Sequence, residues 1–155
     1  MKKMVLFLTF AFLFVPAIAF ADIKIEADLF KKDLISFHDK MVSHQKDVAE
    51  PSDTLTTGQA GELYIFQDIS RAYLNYARFL IDEVELLKLA SGNESVRGYI
   101  KNSILRFNKE TEYYIGWLMF QIKFAKNLEM TKKLQILKED IATFHIKIKK
   151  FSDDM

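Results

Sequence analysis

Residues Tyr113 to Phe124, YYIGWLMFQIKF, are apolar at almost every position. A membrane span, a buried helix and an interaction surface can all contain such a run. A span needs about twenty apolar residues, whereas Glu112 and Lys123 leave ten uncharged residues between them. The span is therefore excluded, and angles separate the other two readings. At about 100° per residue, Tyr114, Leu118, Ile122 and Ala125 fall on one line of a helix. Tyr113, Trp117, Phe120 and Phe124 form a second row, spaced four, three, four and lying about 130° from the first.

The first line continues upstream through Thr111, Phe107, Ile104, Ile100 and Val96. Three other segments carry the same alternation of threes and fours. One runs Ile23, Ala27, Phe30, Leu34, Phe37, Met41, His44, Val48. The next runs Leu63, Phe66, Ser70, Tyr73, Ala77, Leu80, Val84, Leu87. The last runs Met130, Leu134, Leu137, Ile141, Phe144, Ile148, Phe151. Such spacing lines up one apolar seam per helix, as bundles require. The expected fold is all-α: an antiparallel up-down-up-down four-helix bundle with helices at about 23–49, 59–90, 94–126 and 129–151. AEPSDTLTTG (49–58) and ASGN (90–93) supply the first two breaks, with Gly92 expected as a left-handed cap. Thr56 with Gln59 and Ser91 with Glu94 fit capping boxes. The third break, at 127–129, is weaker, but the seam changes register across it, which favours a turn over one long helix.

The chain begins MKKMVLFLTFAFLFVPAIAFAD. Two lysines, an apolar stretch and Ala19-Phe20-Ala21 make a secretory signal, expected to be cleaved after Ala21. Residues 1–21 are then a signal peptide and 22–155 a single domain, exported to the periplasm or secreted. The same stretch would be just long enough to remain as an anchor; Pro16 and the small residues after it favour cleavage. No stable membrane insertion is expected after the cut.

The whole chain has 22 basic and 21 acidic residues. Losing Lys2 and Lys3 leaves 20 against 21, a formal net of −1, which excludes a global pull toward nucleic acid. The lysines gathered from Lys126 to Lys150 read as a solvated outer face. Absence of Cys excludes disulfides, thiol catalysis and thiolate metal sites.

No enzyme motif is present: no Gly-rich phosphate loop, no nucleophile elbow, no H-E-x-x-H helix. The expectation is a non-enzyme without a metal. His44 falls on the first seam and His145 beside the last, so these two are the candidates for a ligand or haem. His38 lies six residues from His44, on another face. His145 is expected opposite Lys31. The layout resembles that of b-type bundle cytochromes, where a Met and a His from the terminal helices hold haem, and ATFHIKI places His145 suitably. No Met near the mature N-terminus completes that pair, so the family is not assigned, and haem remains the alternative ligand.

The second aromatic row carries the main functional expectation. One stripe per helix suffices for a bundle, and a contiguous aromatic patch rarely faces water. Tyr113, Trp117, Phe120 and Phe124, joined by Tyr64 and Phe79 of the second helix, are expected to bind a protein partner or a second copy. Gly116, close to the outward side of the row, would let another backbone approach.

Overall fold

The computed structural model describes residues 2–47, 57–90 and 92–155, with 2–22, 57 and 59 described in backbone alone. Four helices make up nearly all of it, and the described residues contain no strand. They are α1 (Lys2–Lys46), α2 (Thr57–Leu89), α3 (Glu94–Phe124) and α4 (Leu128–Asp154). Helix α1 thus starts well before the expected boundary at residue 23. The side chains of the expected signal segment, most of the 49–58 loop, the Thr56–Gln59 box and Val48 lie outside the described residues. Among those described, no helix is long and apolar enough to cross a membrane.

The first four N–H groups of a helix have no partner within it, and two asparagines meet that need. Asn93 Oδ1 accepts from Ser95 N at 3.0 Å and Val96 N at 3.2 Å, capping α3. This replaces the box expected from Ser91, which lies outside the described residues. No described glycine has a positive φ, so the left-handed cap expected at Gly92 does not form. Instead Asn93 N donates to Ala90 O at 2.8 Å. At the third break Ala125 is extended, and Asn127 Oδ1 accepts from Glu129 N at 2.9 Å and Met130 N at 3.1 Å. That second asparagine cap restarts the chain as α4, so α3 and α4 are separate helices.

All four seams enter one core. Phe66, Tyr73, Leu80 and Val84 from α2 and Ile100, Ile104 and Leu118 from α3 are buried. So are all seven seam residues of α4, Met130 to Phe151. On the α1 seam Ala27, Phe30, Leu34, Phe37 and Met41 are buried, while His44 stays half-buried. The seam of α3 is the least complete, because Ile122 and Ala125 are only partly covered.

Helix α1 packs most extensively on α2 and α3 on α4. The α1–α4 contact is smaller, the α2–α3 and α2–α4 contacts are smaller still and alike, and among the described residues α1 and α3 have no close backbone approach. Between α1 and α2, Lys88 reaches Asp28 at 2.7 Å and Gln45 donates to Gln67 O at 2.9 Å. Lys31 also pairs with Glu85. Between α1 and α4, Phe30 stacks on Phe151 with ring centroids 4.2 Å apart, and Phe37 on Phe144 at 4.0 Å. Phe30 also reaches Phe144 at 6.2 Å, so the four rings interleave into a ladder. Stacked rings add about 0.5–1.5 kcal/mol per pair beyond their area burial.

Phe144 touches both α1 rings, and its loss leaves a cavity that helices joined by several other contacts cannot easily close. Phe144→Ala is expected to cost about 3–5 kcal/mol, read as a lower denaturant midpoint with helical signal retained in the absence of denaturant.

Candidate functional site

The aromatic row of α3 stands on the side of the helix turned away from the core. Tyr113 is 69% exposed, Phe120 57% and Phe124 58%. Trp117 differs: it is partly buried and packs against the core, so it links the outer row to the interior. Spacing explains the contrast, since Trp117 lies closest in angle to the flank that faces α2. The Phe120 and Phe124 rings meet at 4.7 Å, and the Lys123 ammonium sits 5.7 Å from the Phe124 centroid. Gly116 is open: a Cβ built there would meet nothing within 4 Å among the described residues.

The two α2 residues join this row at different places. Glu62 accepts from Lys126 N at 2.8 Å, which puts the start of α2 beside the end of α3. Tyr64, 65% exposed, is therefore about level with Phe124. Phe79 stands some fifteen residues further along α2, on the order of 22 Å away. It lines a cleft of about 280 Å³ between α2 and α3 with Tyr76, Leu80, Tyr99, Ser103, Arg106, Phe107 and Glu110. The sequence-derived candidates thus fall into two groups, one at the Phe124 end of the α2–α3 face and one near its middle.

Tyr99 and Arg106 were not among those candidates, although their signal was present. Tyr99, Arg106, Tyr113 and Phe120 recur every seven residues, a second heptad line along α3. Leu128, in the first turn of α4, is also largely exposed. Arg106 and Glu110 bring opposite charge into the cleft. The Tyr76 hydroxyl donates to Glu110 Oε2 at 2.6 Å, and this bond, with burial and the carboxylate charge, pushes the phenol up to about 12. Deeper in, burial raises the Tyr73 phenol as well. Its hydroxyl is directed at Thr111, but neither oxygen reaches hydrogen-bond geometry.

The histidines face three different helices. His44 Nε2 lies 2.9 Å from Asp140 Oδ2 on α4, and Lys40 pairs with the same carboxylate. His38 Nε2 accepts from Arg78 Nε on α2 at 3.2 Å. His145 Nε2 is buried 3.8 Å from Glu112 on α3, without a hydrogen bond. The register expected for His145 shifts: Phe144 stacks on Phe37, so His145 lies across from that level rather than from Lys31. The described residues contain no group of three or more His, Cys, Asp or Glu that could hold a metal ion.

Glu83 is buried on α2, and its Oε2 has no partner. Burial raises its pKa, so the folded state favours the protonated carboxyl. That contribution is present below the unfolded carboxylate pKa and is lost as pH rises through the folded value. Glu83→Gln retains the shape and removes the charge. It is expected to raise the melting temperature at pH 7, with the gain shrinking toward pH 3, as measured by thermal unfolding across that range.

A comparison with protein-family models, curated proteins and solved structures matches none of them.

Proposed function

We propose that this chain is an exported helical-bundle protein that acts by binding protein, either a partner or a second copy, through the aromatic row of α3. The carrying observation is that Tyr113, Phe120 and Phe124 lie exposed along one line of a helix whose opposite side is core. Tyr and Trp are the commonest interface anchors, and the row combines exposed rings with a Trp rooted in the core.

The architecture in this reading is an antiparallel up-down-up-down bundle. Its support is the order of the cross-helix pairs: residue numbers rise on one helix as they fall on its neighbour. Lys31–Glu85 with Gln45–Gln67 gives this for α1 and α2, Asp33–Lys147 with His44–Asp140 for α1 and α4, and Glu62–Lys126 with Tyr76–Glu110 for α2 and α3. Export rests on the basic start, apolar stretch and Ala19-Phe20-Ala21 of the first 21 residues.

A haem- or small-molecule-binding bundle is the second reading, favoured by the buried His145 Nε2 that lacks a hydrogen bond. A Soret band lost on His145→Ala would support it, and protein that stays colourless with added haem would sink it.

The partner reading is tested on the two fully surface rings. Exposed substitutions ordinarily change stability by less than about 0.5 kcal/mol, whereas losing an interface anchor costs about 2 kcal/mol or more, roughly thirtyfold in affinity. Phe120→Ser with Phe124→Ser is expected to leave helical signal and melting temperature nearly unchanged while association weakens at least thirtyfold. Stability falling by as much as for Phe144→Ala would mean that the row is core. Trp117→Ser is a poorer probe because that ring also packs inward.

A further inference from the structure

The outer edge of α2 carries its own stripe. Tyr64, Asp68, Asn75, Phe79, Asp82 and Leu86 are spaced four, seven, four, three and four, and all are exposed. Beside it runs the outer line of α3: Tyr99, Arg106, Tyr113, Trp117, Phe120 and Phe124. The Glu62–Lys126 and Tyr76–Glu110 hydrogen bonds fix the heights of these two lines relative to each other. Counting along the helices from those ties, Tyr64 is level with Phe124, Phe79 with Arg106, and Leu86 with Tyr99. Asp82 stands within about one turn of Arg106, and neither side chain forms an ion pair within the chain among the described residues. The α2 edge thus offers two carboxylates, Asp68 and Asp82, and the α3 edge offers Arg106, Lys109 and Lys123.

Matching heights make this face complementary to itself under one symmetry operation. A two-fold axis parallel to the helices swaps α2 and α3 between copies and leaves heights unchanged. We propose that a second copy of this chain covers the face in this way, with α2 of each copy lying on α3 of the other; the inference rests on the partner-binding reading above and names its occupant. Tyr64 then meets Phe124 of the second copy, Leu86 meets Tyr99, Phe79 meets Arg106, and Asp82 pairs with Arg106, each contact made twice. A face of two helices measures about 45 Å by about 20 Å. Its footprint of about 900 Å² compares with the roughly 800 Å² per partner of a stable interface.

The rival two-fold arrangement sets α3 antiparallel on α3, centred between Trp117 and Phe120. It pairs Tyr113 with Phe124 but leaves Tyr99 and Leu86 beyond the overlap and Arg106 without an acid. Covering both ends of the face favours the parallel axis.

Exposed Asp82 and Arg106 allow a test that does not disturb the core. The full chain is expected to be a dimer by light scattering at about 10 μM, while Asp82→Arg alone and Arg106→Asp alone each weaken self-association at least tenfold by setting like charges together. An equimolar mixture of the two variants is expected to restore the dimer as a heterodimer, since both charge pairs are then remade. The Cys-free sequence permits a second measurement, in which Tyr64→Cys mixed with Phe124→Cys forms a disulfide-linked dimer faster than either variant alone. In the rival arrangement Phe120→Cys crosslinks to itself instead, and that result overturns the proposal. A dimer whose charge-swapped mixture stays weak overturns it too. A chain that remains monomeric at 100 μM also overturns it; the Phe120→Ser, Phe124→Ser stability measurement then tells separately whether the row is still a surface for a different partner.

Discussion

The ring ladder between α1 and α4 is the contact on which the rest of the structure depends. Phe30, Phe37, Phe144 and Phe151 come from opposite ends of the described chain, more than a hundred residues apart, and they interleave at stacking distances. The other extensive contacts, α1 with α2 and α3 with α4, are hairpins between consecutive helices. Hairpins form locally at modest entropic cost. Joining two of them into one core takes a long-range contact, and without cysteine no covalent link can hold it. Polar pairs flank the ladder at two levels, with Asp33–Lys147 at one and Asp140, shared by Lys40 and His44, at the other.

Closure on the α1–α4 side leaves the α2–α3 side as the looser edge. There the contact between neighbouring helices is slight, a cleft of about 280 Å³ remains, and the exposed aromatic rings concentrate. Polar groups are arranged accordingly. Several inside the core, namely Tyr73, Thr111 and Glu83, lack full hydrogen bonding, whereas Ser70 bonds Phe66 O and Gln45 and Tyr76 and Glu110 at the cleft bond each other. Buried polar groups without partners are costly, so apolar packing must offset them. The edge, with rings and charges of both signs that form no ion pair among the described residues, resembles the anatomy of an interface more than that of a solvated helix face.

Helix count, helix seams and the outward placement of Tyr113, Phe120 and Phe124 were readable in the sequence, whereas Trp117 of the same row packs against the core. Apolar residues recurring at threes and fours can satisfy only one helical face at a time, so the buried set on α4 could be named from spacing alone. Helix ends were less legible. Asn93 won over the expected Ser91 and Gly92 signals, because its side-chain oxygen, just before the first helical turn, accepts from two backbone donors directly. Tyr99 and Arg106 escaped notice for a similar reason: their seven-residue rhythm with Tyr113 and Phe120 gains meaning only once α2 is beside them.

Periodicity, composition and the lack of cysteine thus suffice for four amphipathic helices, one shared core and a second apolar line on the third, since these follow from angles along a single helix. Which helices touch, how high each residue stands on its neighbour, and where the histidines point depend on contacts between segments distant in the chain. Spacing could not tell that His145 faces Glu112 or that Phe79 stands level with Arg106. Those heights follow from where the Phe30–Phe151 and Tyr76–Glu110 contacts lock neighbouring helices, and a one-turn slip at either would move every pair by about 5.4 Å.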